Sequence, residues 1–147
     1  MNCESLKKRL KDEGYSESYY SVRCRNNDTF ALDQFDGEWW VFYTERGIVS
    51  DPEFRSESEE AACAYLWEKM QHIRQDHLVG WFTDLTHAQE FSRALTWRGL
   101  KNHINHIPRP VLPQTVYRVF VYGKAIFEVQ RDFPRVPLQH WPEENSD

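Results

Sequence analysis

The chain has 147 residues, 15% of them aromatic, and a formal net charge of −5. That length fits one domain and buries about 70% of the unfolded surface, enough for a core without disulfide or metal staples. The acidic balance argues against general nucleic-acid binding, which needs clustered Lys and Arg, and no stretch approaches the roughly 18 apolar residues of a spanning helix.

In chain order, residues 4–13 read as a short helix, with Leu6 and Leu10 on one face. Lys7, Lys8, Arg9 and Lys11, flanked by Glu4, Asp12 and Glu13, read as its solvated side. Gly14 is the stop signal. Residues 19–25 alternate as a strand. Asn26, Asn27 and Asp28 carry turn chemistry. Residues 29–35 and 38–45 form two strands joined by Asp36-Gly37, a strong two-residue hairpin signal. Trp39, Val41 and Tyr43 face one side of the second strand, and Trp40, Phe42 and Thr44 the other, so this strand should be central.

Gly47 ends that strand, and a short fourth strand is expected at Ile48–Val49 or near Phe54. Ser56 with Glu59 has the form of a capping box. It opens a helix to about Gln75, with Glu57, Glu59 and Glu60 in the first turn and Ala62, Leu66, Met70 and Ile73 buried. Trp81-Phe82 reads as a short strand. Thr86 with Gln89 is a second capping box, before a helix marked by Ala88, Phe91 and Leu95 and ended at Gly99. Residues 102–113 hold three prolines and read as loop. Residues 116–122 and 125–131 read as a final hairpin turning at Gly123-Lys124, and the tail after Phe133 as frayed. Hairpins followed by helices imply an α+β fold: a single domain over 1–147, mainly antiparallel sheet with helices packed on it, any subdivision falling near 80–113.

Charge is unevenly spread. Residues 26–60 hold ten carboxylates against Arg46 and Arg55, a net −8, interleaved with seven Phe, Tyr and Trp residues. A disordered acidic tail would lack those aromatics, so this stretch reads as a folded acidic surface suited to a positive partner.

No other constellation carries chemistry. His103 and His106, and His72 and His77, lack the convergent third ligand a metal needs. There is no Gly-x-Ser-x-Gly elbow and no phosphate loop. Cys63 lies among apolar helix positions as a small core residue. The odd cysteine count, with a polar run after Met1 in place of an apolar leader, reads as a cytoplasmic chain with reduced thiols. Neither a cofactor nor a metal is expected.

The run Gly37-Glu38-Trp39-Trp40-Val41-Phe42-Tyr43-Thr44-Glu45-Arg46-Gly47 leads through Ser50, Asp51 and Phe54 into Ser56-Glu57-Ser58-Glu59-Glu60-Ala61-Ala62-Cys63-Ala64-Tyr65-Leu66. This pattern resembles small bacterial immunity proteins of contact-dependent inhibition and polymorphic-toxin systems. It covers about a third of the chain and leaves the half after Gly80 without a counterpart. The resemblance implies a non-enzymatic antitoxin that binds and neutralises one cognate toxin domain. Many such toxins are nucleases, whose basic cleft an acidic surface would block. Direct contact with nucleic acid or a membrane is not implied. The expected partner-binding residues are Asp33, Asp36, Glu38, Trp39, Glu45, Asp51 and Glu53. Two other readings stay open: a small hydrolase pairing Glu45 or Asp51 with His72 or His77, and a general protein-interaction module.

Overall fold

In the computed structural model, which describes residues 1–108 and 113–133, the chain is α+β with mainly antiparallel sheets. It divides into two compact units, Met1–Gln75 and Asp76–Asp147. The strands fall into two sheets, one in each unit, and the division precedes the 80–113 region expected for it.

The first unit contains α1 (Cys3–Asp12), β1 (Tyr20–Val22), β2 (Thr29–Phe35), β3 (Glu38–Glu45), β4 (Ile48–Val49), β5 (Phe54–Ser56) and α2 (Glu59–Gln71). β2 and β3 form the expected antiparallel hairpin, from Thr29↔Thr44 to Phe35↔Glu38. Asp36 and Gly37 at its turn have φ of 50° and 82°, the two positive values that a type I′ turn requires. Arg46 and Gly47, at 52° and 76°, repeat the turn at the other end and pair Glu45 with Ile48. β4 and β5 then run along the same edge of β3, interrupted at Asp51-Pro52. Proline has no N–H to give a ladder, which accounts for the break and for the presence of both expected short strands in place of one.

β1 is the exception to antiparallel pairing. It lies parallel to β2, in the register Tyr20↔Phe30 to Val22↔Leu32. Parallel neighbours usually need a crossover of a dozen or more residues; here residues 23–28 suffice. Arg23 and Asp28 adopt φ of 62° and 59°, and these left-handed conformations turn the chain back sharply. The strand therefore ends at Val22, three residues before the expected limit. The return loop is tied down inside the sheet. The Asn26 carbonyl accepts from the hydroxyls of Thr29, at 2.8 Å, and Thr44, and the Asn26 N–H donates to Ser21 Oγ at 3.1 Å. Ser21, Thr29 and Thr44 are all buried, and these bonds satisfy groups that would otherwise be costly inside.

One face of this sheet packs on both helices. Leu6 and Leu10 of α1, Cys63, Leu66 and Met70 of α2, and Leu32 and Val41 of the sheet make its core. The start of α2 differs from expectation. Ser58, not Ser56, is the N-cap and accepts from the Ala61 N–H at 3.1 Å. Glu59 is drawn elsewhere: its carboxylate accepts from the Cys3 N–H at 3.0 Å, at the N-terminus of α1, where the helix dipole favours an anion. Glu57 consequently precedes the first turn. The helix stops at Gln71, and the amide of buried Gln75 instead accepts from Ser16 N–H and donates to the Ile73 carbonyl.

The second unit contains β6 (Asp76–Phe82), α3 (Leu85–Trp97), β7 (Asn102–Ile107), β8 (Val116–Tyr122) and α4 (Ala125–Asp132). β8 lies between β6 and β7 and is antiparallel to both. Val79, Phe91, Leu95, Val119, Val121 and Val129 are among its core residues.

Three expectations are corrected here. Asp84 caps α3, accepting from the Thr86 N–H at 2.8 Å, so Thr86 lies inside the helix and no Thr86–Gln89 box forms. Residues 102–107, expected as loop, are β7; the prolines begin only after Ile107. The Asn102 amide anchors the strand's start by donating to the Thr96 hydroxyl and the Leu100 carbonyl. Residues 125–132 are a helix and not the second arm of a hairpin. Ala125, Ile126, Val129 and Phe133 recur at helical spacing and pack on the core, while Phe127 is 41% exposed. The expected frayed tail and residues 109–112 lie outside the described residues.

Candidate functional site: the Arg46–Gly47 end of the hairpin

Pairing separates the seven expected binding residues. Asp33 lies 3.3 Å from Arg25 Nε and 3.9 Å from an Arg23 nitrogen. Glu38 accepts from Arg55 at 2.6 Å, and Glu53 accepts from Lys69 Nζ at 3.0 Å. These three carboxylates have local cations. Asp36, Glu45 and Asp51 are exposed and make no ion pair with any described residue.

The strand geometry also fixes the two tryptophans. Trp39 faces the helices and packs against the first core, with the Arg23 guanidinium 5.2 Å from its ring. Trp40 is on the opposite face, 4.7 Å from Phe35, with the Arg55 guanidinium 5.2 Å from its ring. Arg25 covers Phe35 in the same way at 4.5 Å. That face is therefore an aromatic patch under arginines, with Asp33 and Glu38 neutralised beside it.

The expected docking face is not continuous. Asp36 stands at one hairpin turn and Glu45 at the other, roughly 25 Å apart for a strand of this length. What gathers at the Glu45 end is a different set. The β2–β3 register places Asp28 beside Glu45, immediately beyond the Thr29↔Thr44 pair. Asp28 is held there by its N–H, which donates to the Thr44 carbonyl at 2.7 Å. Ser50 bonds Tyr43 twice, through its N–H and its hydroxyl, and carries Asp51 to the same end. Tyr43, Glu45, Arg46, Ile48 and Ser50 line a cleft of about 340 Å³. Partial burial, and then the carboxylates of Asp28 and Glu45, raise the Tyr43 phenol above its ordinary value. Ile48 is 70% exposed beside it. The end is thus an apolar and aromatic spot flanked by Asp28 and Glu45, with Arg46 as the cation in the turn and Asp51 following the lining residue Ser50.

Asp28, Tyr43 and Ile48 were not among the expected residues. A usable signal existed: counting outward from the Asp36-Gly37 turn sets Asp28 opposite Glu45.

The histidines do not converge on this cleft. His72 bonds Glu68 at 3.0 Å on the exposed side of α2. His103 lies on β7, with Nδ1 2.5 Å from the Tyr122 hydroxyl and its ring stacked 5.0 Å from Phe120. His106, three residues on, points to the other face of the strand, toward Tyr117. That parity keeps a H-x-x-H pair on a strand from sharing one metal ion. Among the described residues, no group of three or more His, Cys, Asp or Glu could hold a metal ion. No described helix is long and apolar enough to cross a membrane.

No family model, curated protein or solved structure matches the chain.

Proposed function

We propose that this chain is a toxin-neutralising binding protein that docks through the Arg46–Gly47 end of its β2–β3 hairpin and caps a basic cleft on a cognate toxin domain, probed first as a nuclease. The observation that carries the reading is a set of exposed carboxylates, Glu45 and Asp51, that make no ion pair among the described residues, near exposed Ile48 and half-buried Tyr43. Elsewhere in the acidic stretch Asp33, Glu38 and Glu53 have internal partners. Unpaired carboxylates around an apolar centre suit a basic surface: the charges steer encounter, and the aromatic and aliphatic groups hold the complex. The resemblance of residues 37–66 to immunity proteins supplies the class of partner.

The test is co-expression with the product of each neighbouring reading frame, followed by association kinetics with any product that co-purifies. Glu45→Lys with Asp51→Lys should slow association about tenfold or more at low salt and leave the melting temperature unchanged. Wild-type association should slow as salt rises from roughly 50 to 500 mM, because screening shortens severalfold over that range. An on-rate indifferent to both changes would remove this end of the hairpin from the interface. Asp33 makes a poorer probe, since reversing its charge sets it against Arg23 and Arg25.

A further inference from the structure

Four of the ten Lys and Arg residues of the first unit line one cleft. The cleft measures about 520 Å³ and runs between α1 and β1. Lys7, Lys8, Lys11 and Arg23 line it, against Glu4 and Glu17. Lys8 is paired with Asp12 at 2.5 Å, Lys7 lies 3.8 Å from Glu4, and Lys11 makes no ion pair among the described residues.

The other wall is a strand edge. β1 ends the sheet order and, among the described residues, pairs only with β2. The ladder between them uses the Tyr19 carbonyl, which accepts from Phe30 N–H at 3.0 Å, and the Arg23 N–H, which donates to Leu32 at 2.8 Å. Main-chain groups alternate in direction along a strand, so those of Tyr20 and Val22 point away from β2. Both residues line the cleft, although they are only 5% and 3% exposed and their side chains belong to the core. What they offer the cleft is backbone: two N–H and two C=O groups that no described residue bonds. An unpaired strand edge of this kind is a ready template for a further strand.

We propose that the α1–β1 cleft receives an extended acidic peptide segment of a partner protein, added as an outer strand to Tyr20 and Val22 with its carboxylates against Lys7 and Lys11. Strand addition supplies the alternating donors and acceptors that this edge lacks, and the lysine wall selects acidic side chains over basic ones. This surface shares no residue with the Glu45 end of the hairpin, so the two proposals stand or fall separately.

Cys24 lines the same cleft and is exposed, whereas Cys3 and Cys63 are buried. It therefore serves as a local trap. The full-length chain is equilibrated, under a thiol–disulfide buffer, with cysteine-ended hexapeptides of three kinds: alternating Glu and Val, alternating Lys and Val, and the Glu and Val peptide N-methylated at alternate residues. The acidic peptide should be captured at Cys24 about tenfold or more over the basic one. N-methylation should remove most of that advantage, since each lost backbone bond weakens binding by roughly threefold to tenfold. Lys7→Glu with Lys11→Glu should abolish the preference for acid. Equal capture of acidic and basic peptides, or equal capture with and without N-methylation, would overturn strand addition here; the second comparison needs no variant of the protein.

Discussion

Cys3 and Cys63 sit in the first core, and their thiols are raised above the ordinary value, chiefly by burial. Tyr20 is raised from 10.0 to about 12 by burial and then by Glu17. Each is an acid that stays neutral in the fold beyond the pH at which it ionises in the unfolded chain. The stability they lend is complete below the unfolded values and is lost as pH rises toward the folded ones. Denaturant midpoints should therefore hold below about pH 8 and fall from about pH 9, where the unfolded thiols ionise, toward about pH 12. Tyr20→Phe should flatten the upper part of that fall. In native protein at pH 8 one thiol, Cys24, should react rapidly with an aromatic disulfide, the other two only on unfolding. Rapid reaction of all three would mean that the Cys3–Cys63 region opens readily. Burial of Cys63 was legible from its place among Ala62 and Leu66. The ion-pair partners of Asp33, Glu38 and Glu53 were not, because Arg25, Arg55 and Lys69 meet them across strands or from a helix and not along the sequence.

At the scale of elements, the sequence is most transparent where turn chemistry and side-chain alternation agree. Residues 29–35 and 38–45 are strands to the residue, since Asp36-Gly37 fixes the turn and therefore the register. α4 is the opposite case. Ile126, Phe127 and Val129 have strand-favouring side chains, and Gly123-Lys124 resembles a hairpin turn, so local propensity favours an arm. Tertiary packing decides otherwise, burying Val129, seating Phe133 5.4 Å from Phe91, and bonding Asp132 to Arg98 at 2.8 Å. The two readings assign different energies to neighbouring positions. Val129→Ala should destabilise by about 2 kcal/mol, the scale of emptying a buried aliphatic site. Phe127→Ala should stay within about 0.5 kcal/mol or slightly above, as a largely exposed position. Comparable losses at both, in chemical denaturation, would contradict the helix. The acidic helix start was misplaced for a related reason. Ser56 and Glu59 have capping-box spacing, but Glu59 bonds the distant Cys3 N–H, a partner that only the fold supplies.

For the whole molecule, the two units carry very different charge. Residues 1–75 hold fifteen carboxylates against ten Lys and Arg, whereas residues 76–147 hold eight of each, so the net −5 belongs to the first unit. That unit also has its own sheet, two helices and a core whose members all precede residue 76. Produced alone, residues 1–75 should fold, with a cooperative thermal transition and a native near-ultraviolet signal from Trp39, Trp40 and Trp67. A broad, non-cooperative melt would show that the first core needs the second half of the chain.

The hydroxyl cluster inside the sheet has a consequence for how the strands find one another. Ser21, Thr29 and Thr44 come from three strands and converge around Asn26. A hydrophobic face tolerates small shifts in pairing, but this cluster does not. Slipping β2 or β3 by one residue would turn its threonine toward the helices and bring Phe30 or Tyr43 to the place of a hydroxyl. The Asn26 carbonyl would then lose a donor within the buried cluster. The cluster acts as a gauge of alignment, rejecting misregistered hairpins that the aromatic alternation of β3, apolar on both faces, would otherwise accept.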